Sequence, residues 1–350
     1  MKLILVGAAS VHIVNFYKLI KPLFSEVVIV TNGQIEVDCQ YEIVSFSFKP
    51  GVYLKRLTYQ KAFYSLAKKF GPDVVHIHQA NTTAKFIFNA LKKYPVNTVL
   101  TTWGSDVLLL PNRSWLFKKM VTQNLMAANF ITADANAMKV AVEQLTNNKK
   151  SAQLINFGVE DALLKQQMPK QNIIFSNRAH KPLYRIDLLL KSFINYLKLN
   201  ENTSWQLVIA NTGPQTTMLK DLAKPYKNNI KFVDFLSSHE QKEYYGKAKF
   251  FVSIPESDGT AVSLLEAMAC GCYPILSNLA ANKQWIRNDE NGSIVEPSNL
   301  SNQWINILSL SNEKLQEVAI KNKKIIEKSA TKSVIRQKFN TIYKSLVSHG

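Results

Sequence analysis

Ser253-Ile-Pro-Glu-Ser-Asp-Gly-Thr-Ala-Val-Ser-Leu-Leu-Glu-Ala-Met-Ala-Cys-Gly271 starts as a strand, turns between Pro255 and Gly259, and continues as a helix. Asp258 stands at the mouth of the turn, and Gly259 allows the backbone to approach a ligand without a Cβ clash. Thr260, Ala261 and Val262 bring N–H groups to the start of the helix. Such a start suits a diphosphate, because the amides point outward where the helix dipole is positive. Glu266 follows Asp258 by eight positions, about two helical turns, and so returns to the same side. Two carboxylates thereby bracket a phosphate-binding turn. The plainer alternative is an N-cap Asp followed by a solvated helix Glu.

Short aliphatic or β-branched runs recur on the N-terminal side of this stretch and beyond it. Lys2–Val6, Val27–Val30, Asp73–Ile77, Asn97–Leu100 and Asn129–Thr132 form a first series. Asn172–Phe175, Trp205–Ile209, Ile230–Val233, Phe250–Ser253 and Tyr273–Leu276 form a second. Helical periodicity fills longer gaps, as at Leu54–Phe70 and Trp115–Ala128. The alternation predicts β-α-β units and parallel sheets, an α/β chain of two Rossmann-like α/β/α domains. Ile155–Lys170 holds turn formers and charge with little periodicity, which places the linker there. Residues 1–160 are therefore expected to form one domain and residues 161–311 another, with residues 312–350 as basic closing helices able to return to the first. Ligands of open parallel sheets lie outside the carboxyl ends of the strands, so two facing sheets would each hold a substrate in the cleft between them.

The 350 residues exceed the usual size of one domain. A 46% hydrophobic content supplies cores, and 12 Gly with 12 Pro are too few for a fibrous or low-complexity chain. Leu3–Val6 is broken by Gly7 and Ser10, and no stretch approaches the roughly 20 apolar residues of a spanning helix. A cytoplasmic protein is expected, attached at most peripherally to the inner face of the cell membrane. Cys39, Cys270 and Cys272 make an odd count, and the last two are expected to be buried and reduced. The net charge of +18, spread over both halves, points to an anionic partner: nucleic acid, an anionic bilayer or a phosphorylated substrate. Lysines scattered over solvated faces are the partnerless alternative. No aromatic RNA-binding signature, Cys/His finger or basic-zipper heptad accompanies the charge, which argues against nucleic acid.

The Asp258–Glu266 run resembles the Glu-x7-Glu signature of family-four retaining glycosyltransferases of the GT-B fold, with Asp258 in place of the first Glu. The resemblance implies a sugar moved from a nucleotide-diphosphate donor, of UDP or GDP type, to a hydroxyl of a glycan or lipid-linked glycan. Bacterial surface polysaccharide or glycolipid synthesis is the setting it implies. It also implies that Asp258 contacts the donor sugar, that the amides of Gly259, Thr260, Ala261 and Val262 touch sugar and phosphate, and that Glu266 holds the ribose. Asn177-Arg-Ala-His-Lys-Pro-Leu-Tyr-Arg-Ile-Asp187 is similar to the family's Gly-Arg then Lys-Gly loop, whose cations clamp the diphosphate. Arg178 takes the arginine's place; Arg185 takes the lysine's if the loop carries one extra residue, and Lys181 competes for it. Asn211-Thr-Gly213-Pro214 is similar to the family's Gly-x-Gly-Pro turn, which makes Gly213 a donor-side candidate. Ser277–Asn282, Trp285-Ile286 and Asn291-Gly292 extend the likeness over nearly all of the second domain.

In the first domain the match is looser. Gly7-Ala-Ala-Ser-Val-His12 follows the opening strand where the family has a glycine-rich turn, so Gly7, Ser10 and His12 are acceptor-side candidates. His12 reads equally as a core or capping histidine. Thr101-Thr-Trp-Gly-Ser-Asp106 matches a loop in which many relatives carry a His, and here that place is Trp103. Asp106 is then the nearest ionisable group to orient or deprotonate the acceptor hydroxyl, or else a cap for the following helix. His76 and His78 are expected to face opposite ways on their strand and to be unable to share a metal.

Breaking the sugar–diphosphate bond gathers negative charge on the leaving group, which paired guanidinium groups answer. No side-chain nucleophile is evident, so attack from the same face is favoured over a covalent intermediate. Neither paired Asp residues at a strand end nor a Cys/His cluster calls for a metal. Two basic, aromatic segments could dock at an anionic bilayer. One is Lys49–Lys69, with Lys49, Lys55, Arg56, Lys61, Lys68 and Lys69 among Tyr53, Leu54, Leu57, Phe63, Tyr64 and Leu66; the other is Arg113-Ser-Trp-Leu-Phe-Lys-Lys119. Periodicity turns many of these aromatics toward the core. The rival enzymes on the same fold are a nucleotide-sugar epimerase and a sugar phosphorylase.

Overall fold

A computed structural model describes residues 1–43 and 56–348, without the side chains of Ile43, Arg56 and Leu57. The chain divides into two compact units, Met1–Phe157 with Ile335–Gly350, and Gly158–Val334. The division falls at Phe157–Gly158 rather than at 160–161, and the closing stretch expected as one block is split at Val334–Ile335. Gly158 turns with φ +70. Beyond it Val159 pairs with the end of the second unit, its N–H donating to Ala330 O at 2.8 Å.

The first unit is built on β1 (Lys2–Val6), β2 (Glu26–Thr31), β3 (Tyr41–Ile43), β4 (Val74–His78), β5 (Asn97–Thr101), β6 (Phe130–Ala133) and β7 (Gln153–Leu154). They run parallel in the order β3-β2-β1-β4-β5-β6-β7. Its helices are α1 (Val11–Ile20), α2 (Arg56–Phe70), α3 (Thr82–Leu91), α4 (Trp115–Ala127) and α5 (Asn136–Leu145). Helices on both faces bury the central strands completely: Leu3, Ile4, Leu5, Val6, Val74, Val75 and Ile77 have no exposed surface. That is why these strands read as unbroken aliphatic runs rather than alternating ones.

The second unit repeats the plan with β8 (Gln171–Ser176), β9 (Gln206–Ala210), β10 (Ile230–Val233), β11 (Ala248–Ser253), β12 (Tyr273–Ser277) and β13 (Ser293–Val295), parallel in the order β10-β9-β8-β11-β12-β13. Its helices are α6 (Ile186–Leu199), α7 (Thr216–Ala223), α8 (Ser238–Lys247), α9 (Val262–Ala269), α10 (Ala280–Lys283), α11 (Leu300–Leu308) and α12 (Asn312–Ser329). The last helix, α13 (Lys332–Ser348), packs Ile335, Phe339, Ile342 and Tyr343 under β1 and α1 in the first unit's core. α12 instead seats Val318 and Ile326 in the cores of the second.

The two-to-three-residue strands β3, β7 and β13 lie at sheet edges and are too short to carry a pattern. Among the described residues, no helix is long and apolar enough to cross a membrane. Cys270 and Cys272 are buried free thiols. In each sheet the strand order reverses beside the first strand, between β1 and β4 and between β8 and β11. Loops leaving the carboxyl ends of those neighbours head to opposite faces, and the crevice between them is where open α/β sheets take ligands.

Candidate active site

At the β8/β11 switch the loop 177–185 and the loop 254–261 come side by side. Arg178 Nη2 donates to Asp258 Oδ2 at 2.5 Å, and its Nη1 to Ser263 Oγ at 3.2 Å. The guanidinium also lies 4.4 Å from the Tyr184 ring centre, a cation–π contact that holds its plane. Arg185 Nη2 sits 3.8 Å from Glu256 Oε2, and the Glu256 N–H donates to Leu183 O at 2.9 Å. Arg185 itself adopts the left-handed backbone, φ +52, immediately before α6. Lys181, its competitor for the second cation's place, is exposed.

Asp258 does not cap α9. That helix begins on Ala261, which has no side chain to bond the first-turn amides, while Asp258 Oδ1 accepts from the neighbouring Gly259 N–H at 3.0 Å. Thr260 is buried and its hydroxyl accepts from Trp285 Nε1 at 3.4 Å. Along α9 only Val262 and Glu266, one turn apart, escape burial. Glu266 accepts a hydrogen bond from the buried Tyr245 hydroxyl. That hydroxyl in turn accepts from Asn177 Nδ2 at 2.8 Å. Burial pushes the Glu266 carboxyl above its ordinary range despite the Tyr245 bond. The two carboxylates are thus tied to successive residues of one loop, Asp258 to Arg178 directly and Glu266 to Asn177 through Tyr245.

The loop after β9 braces that loop from the other side. Asn211 occupies φ +85, the region where the related turn has glycine and which Asn tolerates. A Cβ on Gly213 would lie 2.6 Å from His180 O, so glycine there serves the packing of two backbones. His180 is fully buried, with Nδ1 bonded to Thr216 Oγ1 at 2.8 Å.

In the first unit, Gly7, His12, His78 and Trp103 gather at the carboxyl edge of β1, β4 and β5. A Cβ on Gly7 would meet Ile13 Cδ1 at 2.5 Å, so this glycine admits the start of α1. Ser10 is the extended N-cap of α1 but makes no side-chain cap; its hydroxyl donates to Ala8 O at 3.3 Å. The His12 ring stands edge-on to Trp103 at 5.1 Å.

The expectation for His76 and His78 was wrong. Residues two apart on a strand share a face, and their rings lie 5.0 Å apart. His76 bonds Tyr343 OH at 2.6 Å and Thr101 Oγ1 at 2.7 Å, which anchors α13 to the sheet. His78 Nδ1 accepts from Trp103 Nε1 at 3.1 Å, so its own proton sits on Nε2, which is buried without a hydrogen-bond partner. Burial, then the nearby His12, pushes His78 down to about 3 and keeps it neutral.

Asp106, expected either to serve the acceptor hydroxyl or to cap the following helix, is held by backbone N–H groups. Buried, it accepts from Ala80 N–H at 2.7 Å and from Trp103 N–H at 2.9 Å. It clips the β4 and β5 loops together, and both its oxygens are engaged with backbone. Burial outweighs those bonds and raises its carboxyl.

Sequence reasoning missed Asn177, His78 and Tyr245 as members of these clusters. Tyr245 sits in a helix 68 positions after Asn177 and outside both loop motifs, and carried no signal, while His78 needed only the strand's two-residue period. Of the Lys49–Lys69 segment, residues 49–55 lie outside the described ones. In α2, Phe63 and Leu66 are buried and Lys61, Lys68 and Lys69 exposed.

Residues 161–327 match the family described as Glycosyl transferases group 1, and residues 2–135 the family described as Glycosyl transferase 4-like. An uncharacterised glycosyltransferase of Methanocaldococcus jannaschii is 22% identical over 333 residues, 92% of this chain and 90% of its own. The GDP-mannose:cellobiosyl-diphosphopolyprenol alpha-mannosyltransferase of Komagataeibacter xylinus is 26% identical over 125 residues, 35% of this chain and 30% of its own. The crystal structure of Anabaena HepE in complex with UDP-glucose is similar at a TM-score of 0.77 and 13% identity, covering 99% of this chain and 100% of that one. With two doubly wound parallel sheets, and carboxylates and guanidinium groups gathered at the second sheet's switch point, the chain belongs to the group 1, family-four-like glycosyltransferases of the GT-B fold.

Proposed function

We propose that the protein transfers a sugar, with retention of anomeric configuration, from a UDP- or GDP-type donor to a hydroxyl of a glycan or lipid-linked glycan. The donor would lie across the carboxyl edge of β8 and β11. The observation that carries this is the loop whose Arg178 holds Asp258 while its Asn177 holds Glu266 through Tyr245. Arg178 and Arg185 would take up the charge developing on the departing diphosphate, and the uncapped first turn of α9 would add amides to the same oxygens. Asp258, kept within reach of the sugar by Arg178, would orient it. Glu266, desolvated and already holding one hydroxyl, is suited to grip a diol such as ribose.

This charge compensation comes from the chain's own cations and amides, so metal-free turnover is part of the proposal. The acceptor side would use Gly7, Ser10, His12 and Trp103, with His78 as a further donor of a hydrogen bond. HepE was solved with UDP-glucose, and the Komagataeibacter relative is named for GDP-mannose and a diphosphopolyprenol-linked acceptor. They support a nucleotide-sugar donor and a lipid-linked acceptor, hence work at the inner face of the cell membrane in surface polysaccharide or glycolipid synthesis. A thermal-shift panel of UDP-, GDP- and ADP-sugars tests the donor, since the correct one stabilises the fold by mass action. Stabilisation by none of them would sink the proposal, and turnover with inorganic phosphate as acceptor would replace it with a phosphorylase.

A further inference from the structure

Between Trp103 and the middle of α4 the first unit carries a surface unlike the rest of the described residues. Leu108 is 38% exposed, Leu109 62%, Trp115 70%, Leu116 60% and Phe117 37%. Five large apolar side chains thus stand out within ten residues. Elsewhere the exposed large apolar side chains, such as Val11, Val140, Leu199, Phe235 and Ile320, are spread along the sequence, the ordinary pattern of a soluble surface.

The exposure follows from helix geometry. Trp115, Leu116 and Phe117 are consecutive, and consecutive residues fan about 100° apart, so they cannot share the inward face. α4 spends that face on Val121, Asn124 and Leu125 instead. The patch is also held in place. Ser114 caps α4 by accepting from Phe117 N–H at 3.3 Å, Asn112 Nδ2 donates to Leu108 O at 2.9 Å, and Pro111 between them in sequence is buried.

Its charge is one-signed. Arg113, Lys118 and Lys119 are exposed around it, and the sequence has no acid from Val107 to Ala133. Asp106, just before, is turned inward onto Ala80 and Trp103. An apolar ridge led by a tryptophan and ringed by cations complements the interface of an anionic bilayer, where indole sits among headgroups and basic side chains meet lipid phosphates.

We propose that Leu108, Leu109 and Trp115–Phe117, ringed by Arg113, Lys118 and Lys119, are the surface on which the protein lies on an anionic lipid bilayer. This rests on the lipid-linked-acceptor reading above and gives it a location: Leu108, where the docking surface begins, follows Trp103 by five residues, so a lipid-borne acceptor would arrive near the acceptor-side residues.

The test is sedimentation of the full chain at low salt with vesicles of phosphatidylcholine alone or with added phosphatidylglycerol. The wild type is expected to sediment with the anionic vesicles. A Leu109→Ser/Trp115→Ser/Leu116→Ser variant is expected to partition about tenfold more weakly, and Lys118→Gln/Lys119→Gln to lose the dependence on phosphatidylglycerol. Lipids brominated in the acyl chain should quench wild-type tryptophan fluorescence more than that of Trp115→Phe. A triple variant that sediments like the wild type, or a wild type that ignores both vesicles, overturns the proposal. So does a wild-type dimer in light scattering that the triple variant dissolves, since a second copy would then cover the face. A UDP- and GDP-sugar thermal shift on the same proteins separates the two ideas. Donor stabilisation without vesicle binding removes the docking surface alone, and vesicle binding without any donor stabilisation removes the transferase reading alone.

Discussion

Arg178 Nη2 and Asp258 Oδ2, eighty residues apart in sequence, meet at 2.5 Å. Both are largely shielded, with the Arg178 side chain 12% and the Asp258 side chain 25% exposed, so each sets where the other points. The pair joins the two loops that straddle the β8/β11 switch.

Arg178→Ala is expected to lower kcat about 10²–10³-fold, the usual consequence of removing one preorganised donor to a developing anion. Arg178→Lys should recover little, because an ammonium cannot serve Asp258 and Ser263 together as a planar fork does. Steady-state kinetics on the donor found by thermal shift check this; near-wild-type turnover in Arg178→Lys would show that the fork is not needed.

Tyr245→Phe keeps the ring and removes one hydroxyl that serves both Asn177 and Glu266. We expect a rise in KM for the donor larger than the fall in kcat, because Glu266 is left in place but no longer positioned. The stability cost should be about 1–2 kcal/mol, from bonds lost in a buried setting. An unchanged KM in Tyr245→Phe with a normal urea melt would remove Tyr245 from the donor site.

Acid should weaken the first unit. His78 is held down at about 3 and His76 is also pushed down by burial, against an ordinary value of 6.5. The unfolded chain regains that ordinary value and takes up protons the folded chain refuses. Stability is therefore full above 6.5 and falls as pH drops from there toward about 3. His78 alone accounts for about 2 kcal/mol between about pH 7.5 and about pH 5. Thermal melts over that range check the fall, and His78→Phe should make it shallower.

Two glycines should differ in their tolerance of alanine. At Gly213 the new Cβ meets His180 backbone at 2.6 Å, whereas at Gly7 it meets the end of the Ile13 side chain rather than backbone. Gly213→Ala is expected to cost about 1–3 kcal/mol, and Gly7→Ala less; urea denaturation of the two variants decides.

Turnover should survive EDTA, since the proposed charge compensation comes from Arg178, Arg185 and the α9 amides. Loss of most activity, restored by added magnesium or manganese, would assign that task to a metal.

Much of this was legible in the linear chain. Fully buried parallel strands leave aliphatic runs that need no partner to be seen, so β1, β4, β8 and β11 stood out, and the strand–turn–helix from Ser253 carried its own chemistry. The edge strands β3, β7 and β13 did not stand out, being two or three residues long. Trp103 in place of a histidine was legible as a departure, but not that its indole N–H would fix the tautomer of His78.

Local sequence determined the elements and the acid–turn–acid spacing, because backbone propensity and side-chain period act over a few residues. Tertiary structure decided the partnerships: which carboxylate Arg178 takes, that Tyr245 links Asn177 to Glu266, that Asp106 serves two loops, and that Trp115 stays outside. Those depend on which strands become neighbours, and a parallel sheet makes neighbours of strands far apart in the chain. Strand order, not proximity along the sequence, brings the loops after β8 and β11 together.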